Sequence, residues 1–186
     1  MTLELTRRRF SVDEYERMGE AGILGEDDRV ELLDGEIVEM TPIGSRHAAT
    51  VKRLTALFSE RLGNRAQIGA QDPVWLDESS EPQPDLVLLR PRADFYAAGH
   101  PTPEDILLLV EVADSSLRVD RQVKIPLYAR AGIVEVWLID LEQSRALVHR
   151  DPSEEGYGVV TEVQPDESLA PLAFPEEAFT LKDMLP

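Results

Sequence analysis

Ile106-Leu107-Leu108-Leu109-Val110-Glu111-Val112 sets one carboxylate near the end of an otherwise apolar run. An earlier run, Gln83-Pro84-Asp85-Leu86-Val87-Leu88-Leu89, carries its carboxylate at the head, and a third apolar run covers 134–140. Continuous apolar strands are the pattern of a sheet buried on both faces. An acid inside such a strand is costly unless it is paired or holds a metal. Two neighbouring runs that each carry one therefore point to a divalent-cation site. Lys124 follows Glu111 by 13 residues, at the start of a predicted helix.

The flanking sequence builds outward from these runs. Ser11-Val12-Asp13-Glu14 is a capping box and predicts a short helix to about Gly19. Residues 29–40, with Asp34-Gly35 at the centre, read as a tight β-hairpin. Val51, Leu54, Phe58 and Leu62 form a helical stripe over 46–62. Residues 66–76 read as extended, with Pro73 marking a bulge or an edge. The polar, proline-rich stretch 90–105 predicts a surface connection. Residues 120–131 predict a helix closed by Gly132 at C′, with Pro126 giving a kink or a late start. Two more strands are expected at 145–150 and 157–163, joined around Asp151-Pro152. The C-terminal residues 166–186 read as an acidic extension whose Leu172, Phe174, Phe179 and Leu181 can dock on the core. No repeat or internal boundary divides the 186 residues, so a single domain is expected.

Composition sets limits on function. Apolar content of 42% and charged content of 30% are ordinary for a globular chain. The absence of cysteine excludes disulfides and thiolate metal sites. The opening residues lack a secretory h-region and no apolar run reaches membrane-spanning length, so a cytoplasmic protein without a membrane partner is expected. A net charge of −17 argues against a nucleic-acid partner. The charge is uneven, however: Arg118, Arg121, Lys124 and Arg130 outnumber Asp114 and Asp120 between Val112 and Ile133.

The acid–acid–lysine set suits metal-dependent phosphodiester hydrolysis. That reaction needs a cation on the phosphate, an activated water and charge stabilisation at the leaving oxygen. Asp85, Glu111 and the Val112 carbonyl offer oxygen ligands of the type Mg²⁺ or Mn²⁺ takes. Lys124 would orient or help deprotonate the water, its pKa lowered by partial burial and the nearby metal. Glu31, on the hairpin, is a third carboxylate within reach of the same centre. Structural readings stand beside each of these. Asp85 can begin a strand and accept backbone amides, Glu111 can bridge to Arg121 or Lys124, and Lys124 can be a solvated helix residue.

Taken in order, Glu31-Leu32-Leu33-Asp34-Gly35-Glu36-Ile37, Pro42, His47, Pro84-Asp85, Glu111-Val112, Asp120-Arg121, Lys124, Tyr128 and the run from Ala131 to Asp140 resemble the Uma-type restriction endonuclease family. That family lies within the PD-(D/E)XK nuclease superfamily, and the resemblance covers about residues 10–165. It implies an α/β restriction-endonuclease-like core, a central mixed sheet flanked by helices. It also implies Asp85, Glu111 and Lys124 as a catalytic trio with Glu31 as an extra acid. The wider superfamily places its lysine two residues after the second acid, where this chain has Ala113, so the lysine comes instead from the following helix.

Other residues divide between site and scaffold. His47 matches a family position and is a candidate to contact phosphate or a metal-bound water; local bonding at a helix start is its alternative. Tyr128 shares a helix face with Lys124 and can orient it, or belong to the core. Gln83 can bond within the site or pack in a turn. His100 in a polar loop and His149 on an expected edge strand read as structural or solvated, and three histidines without close spacing argue against a zinc site. Trp75 and Trp137 read as core or interface aromatics, and Arg7-Arg8-Arg9 as a solvated terminus or a backbone contact. The expected function is a Mg²⁺-dependent endonuclease that cuts duplex DNA with a metal-activated water, as a homodimer with one cleft per strand. Two other readings fit the same residues: a catalytically inactive nuclease-fold module for assembly or regulation, and a metal-dependent hydrolase of a small phosphoester.

Overall fold

The computed structural model describes residues 7–25, 27–114 and 117–186. Helix α1 spans Val12–Glu20 and opens on the expected capping box: the Glu14 amide donates to Ser11 Oγ at 3.2 Å and the Ser11 amide to Glu14 Oε2 at 3.1 Å. Strands β1 (Val30–Leu33) and β2 (Glu36–Glu39) form the hairpin. Its turn places Asp34 at φ 48° and Gly35 at φ 76°. Glycine is required there on two counts, because a Cβ at Gly35 would also lie 2.6 Å from Arg9 Cβ. The 18-residue helix α2 (Ser45–Leu62) follows.

A six-stranded sheet forms the centre, in the order β3 (Gln67–Gly69), β4 (Leu86–Leu89), β5 (Ile106–Ala113), β6 (Glu135–Asp140), β7 (Arg145–Ser153), β8 (Gly156–Val163). Only the β5–β6 pair is parallel; the others are antiparallel. A parallel pair of consecutive strands needs a crossover of a dozen or more residues. Here the crossover runs through α3 (Leu117–Val119), a π-helical turn Asp120–Lys124 and α4 (Ile125–Arg130). That path carries Lys124 and Tyr128 over the face of β5. The chain closes with β9 (Ser168–Leu169), β10 (Phe179–Thr180) and α5 (Leu181–Met184).

Period-two alternation sends the strand side chains into two cores. Leu86, Leu88, Leu108, Val110 and Val112 pack on one face with Val51, Leu54 and Phe58 of α2. The C-terminal segment covers the same core with Phe174, Phe179, Leu181 and Met184. Phe179 meets Phe58 edge to face at 5.1 Å, whereas Leu172 stays exposed. Its acids also pair with α2 and the turn after it, Arg61 with Glu177 at 3.1 Å and Arg65 with Glu176 at 2.8 Å. On the other face, Val87, Leu89, Leu109 and Leu138 pack with Ile125, Leu127 and Tyr128. Glu111, two residues from Leu109, therefore points to the α4 face. Trp137 is fully buried, while Trp75 is 42% exposed.

Several local expectations are revised. The 120–131 helix starts as a π turn, with the Ile125 amide donating to the Asp120 carbonyl, and Pro126 sits in the first turn of α4. Proline has no amide to continue the helical ladder, and the wider π turn before it accommodates the missing donor. Gly132 (φ 77°) does close α4: its amide donates to the Ala129 carbonyl and that of Ile133 to the Tyr128 carbonyl. β7 runs through Asp151-Pro152 to pair Ser153 with Gly156, so the turn lies at Glu154-Glu155. β7 also lies between β6 and β8, so His149 is on an interior strand and is buried. Among the described residues no helix is long and apolar enough to cross a membrane.

Candidate active site

The β4–β5 register decides the site. Leu86 pairs with Val110, which puts Asp85, just before β4, beside Glu111. The Val112 amide donates to Asp85 Oδ2 at 2.8 Å, and the Asp85 amide reaches Glu111 Oε2 at 3.4 Å. The crossover then brings Lys124 Nζ to 3.1 Å from Glu111 Oε1, and Tyr128 Oη donates to the same oxygen at 2.5 Å. From the hairpin, Glu31 Oε2 lies 3.1 Å from Lys124 Nζ and accepts the Gln83 amide at 3.0 Å. From the first turn of α2, His47 Nε2 donates to Asp85 Oδ2 at 2.9 Å. The structure thus gathers Glu31, His47, Gln83, Asp85, Glu111, Lys124 and Tyr128 at one end of the sheet, while His100 and His149 lie elsewhere.

Glu31, His47, Gln83, Asp85, Glu111 and Lys124 line a cleft of about 190 Å³, with Tyr128 buried behind it. Its walls carry Glu31, Glu39, Asp85, Glu111, Asp114 and Asp120 against Arg29, Lys124 and His47. The cleft is therefore acidic, and the expected local positive balance does not make it basic: Arg118 bonds Gln122, and Arg130 bonds Asp34 at 2.8 Å. The terminal arginines are also engaged locally, Arg8 with Glu14 at 2.6 Å and Arg9 with the Asp34 carbonyl.

Electrostatics follow from the count of charges. Desolvation, reinforced by Asp85 and Asp120 and opposed by Lys124 and the Tyr128 hydrogen bond, pushes Glu111 up to about 8. Burial acts to lower Lys124, but Glu111 and Glu31 outweigh it and hold the ammonium above its ordinary range. The lowered lysine is expected beside a bound cation; in the protein alone burial does act downward, and the carboxylates on two sides hold Lys124 as an ammonium. The hydrogen bond to Asp85 raises His47 against its own desolvation. Its Nδ1 is buried with no partner among the described residues.

Gln71 and Asp120 enter the cleft without having been singled out as site residues. Gln71 donates through Nε2 to Asp85 Oδ1 at 3.3 Å, from a left-handed backbone (φ 61°). Nothing in the extended reading of 66–76 marks it, although a strained non-glycine residue is a common companion of functional sites. Asp120 is buried at the start of the π turn; its place in the ordered motif was the available signal. Glu135 and Asp140, from the same motif, are structural instead. Glu135 accepts from Arg150 at 2.6 Å and Trp137 at 3.0 Å, and Asp140 from the Gln143 amide at 3.0 Å.

A mixed sheet whose single parallel crossover brings a lysine onto an acid of β5, beside a second acid at the head of β4, defines a restriction-endonuclease-like fold. A model of the Uma2 family, described as "Putative restriction endonuclease", matches residues 12–182, and the chain belongs to this family. The match takes in most of the C-terminal segment that docks on α2. A crystal structure described as "a putative nuclease belonging to DUF820", from Anabaena variabilis, has a TM-score of 0.72 at 16% identity. The likeness covers 94% of this chain and 97% of that one, and at this identity it shows the fold. No curated protein matches the chain.

Proposed function

We propose that the cleft is the active centre of a metal-dependent endonuclease acting on duplex DNA. The observation that carries this reading is the convergence of Glu31, Asp85 and Glu111 on Lys124 at an open cleft, from well-separated stretches of chain. The donor set fits a hard divalent cation. The cleft walls carry more carboxyl groups than cationic side chains, and carboxylate oxygens are the ligands that Mg²⁺ and Mn²⁺ take. Asp85 and Glu111 would hold the ion, with the Val112 carbonyl as a further ligand. When bound, it supplies neutralisation of the scissile phosphate and activation of the attacking water.

The chain's own residues do the rest. Lys124 orients the water and meets the charge that develops on the phosphate. Glu31 and Tyr128 position Lys124 and Glu111, and His47 and Gln71 fix the Asp85 carboxylate. A phosphodiester entering an acidic cleft is repelled until a cation offsets it, so activity should depend on the metal throughout. A homodimer would supply a cleft for each strand of the duplex.

A catalytically silent module is the second reading, favoured by the two buried ion pairs that engage Lys124. Calorimetric titration with Mn²⁺ separates the two. The active-centre reading expects a binding heat in the wild type that Asp85→Ala removes. Identical isotherms for both proteins would leave Asp85 and Glu111 as structural carboxylates and favour the silent module.

A further inference from the structure

A second group of metal-ligating side chains lies outside the cleft. One carboxylate oxygen each of Glu16 and Glu81, and one ring nitrogen of His100, all lie within 4.8 Å of one another. Each comes from a segment anchored by backbone hydrogen bonds. The Val12 amide of α1 donates to the Glu78 carbonyl at 2.8 Å, the Glu81 amide to Leu32 at 2.8 Å, and the Trp75 amide to Pro101 at 2.9 Å. Fold and sheet therefore fix the three positions relative to one another.

Glu81 makes this more than an exposed acidic patch. It is only 5% exposed, and among the described residues no hydrogen bond or ion pair reaches its carboxylate. A buried carboxylate without donors is costly. Glu16, its nearest charged neighbour, is a second acid that adds repulsion. Burial and that repulsion push Glu81 up to about 7. The third side chain present is an imidazole, which completes a set of three potential ligands.

We propose that Glu16, Glu81 and His100 bind a divalent cation of the zinc class, which clips α1 and the loop bearing His100 to the segment behind the hairpin. One imidazole with two carboxylates is a borderline donor set, suited to Zn²⁺ more than to Mg²⁺, which favours oxygen and water. Ligand atoms around zinc stand roughly 3–4 Å apart. Rotation of the exposed Glu16 and His100 side chains closes the set onto Glu81. This role is structural and independent of the cleft. Histidine spacing argues against a zinc site; this group uses one histidine with two acids far apart in sequence, which only the fold brings together.

The test is Zn²⁺ titration of the full chain carrying Asp85→Ala, which disables the cleft, followed by calorimetry and by imidazole NMR. The three histidines, His47, His100 and His149, give separable ring signals. The expected result is one equivalent bound, with the His100 ring shifted and His149 unmoved. His100→Ala, an exposed substitution compatible with folding, and Glu81→Gln should each weaken binding by at least about tenfold. Saturating Zn²⁺ should raise the melting temperature by about 5 °C or more when His100 is present, and not after His100→Ala. No stoichiometric binding, or binding that leaves the His100 ring unmoved, would overturn the proposal and leave a proton shared between Glu16 and Glu81 as the offset.

Discussion

In the cleft, Glu31, Asp85 and Glu111 each accept at least two hydrogen bonds or ion pairs, from Lys124, Tyr128, His47, Gln71 and the amides of Gln83, Asp85 and Val112. Behind the hairpin, Glu81 is about as deeply buried, and among the described residues its carboxylate accepts none. Both regions concentrate acids, yet only one supplies donors for them. Desolvation of a carboxylate has to be offset, by groups of the chain or by something the chain recruits. The cleft does most of this internally and retains a residual negative charge. The rear cluster leaves the offset to solvent, a proton or a cation.

The largest break of this comparison is Lys124→Met. It leaves Glu31 and Glu111 buried and unpaired, and should cost about 3–5 kcal/mol in urea denaturation. Adding Glu111→Gln to that variant should recover part of the loss, since the two residues share one interaction. Tyr128→Phe removes a single donor to Glu111 and should cost about 1–3 kcal/mol in the same measurement.

The smallest effect concerns pH. The folded pKa of Glu81, about 7, is above its ordinary 4.5, so the folded state binds the extra proton more tightly. The stability this contributes is complete below pH about 4.5 and is lost as pH rises through about 7. Urea midpoints measured across that window in chelator should fall with pH in the wild type, and Glu81→Gln should flatten that part of the profile. Saturating Zn²⁺ should also flatten it, because the cation replaces the proton.

What the sequence disclosed depended on how local the signal is. The hairpin was legible from Asp34-Gly35, α1 from Ser11 and Glu14, and α2 from its stripe, because each is set within a few residues. Glu111 was legible because an acid among Leu and Val has few inexpensive explanations. Lys124 was legible through its place in the ordered motif, but its electrostatics were not. Its raised pKa depends on Glu31, which approaches only once the hairpin folds against the crossover. The π turn before Pro126 and the β7–β8 turn at Glu154-Glu155 reflect tertiary register that composition does not carry. Gln71 and the Glu16–Glu81–His100 group had no local pattern at all. They meet through contacts between segments 14 or more residues apart.

The central claim is that the cleft carboxylates form a cation-dependent hydrolytic centre. Nicking of supercoiled plasmid by wild type, Asp85→Asn and His100→Ala, each with Mg²⁺ or Mn²⁺ and with chelator, tests it most directly. The account predicts nicking by wild type and His100→Ala only when metal is present, and a loss of about 10³-fold in Asp85→Asn. Equal nicking by wild type and Asp85→Asn, or no metal-dependent nicking by folded wild-type protein, would contradict it.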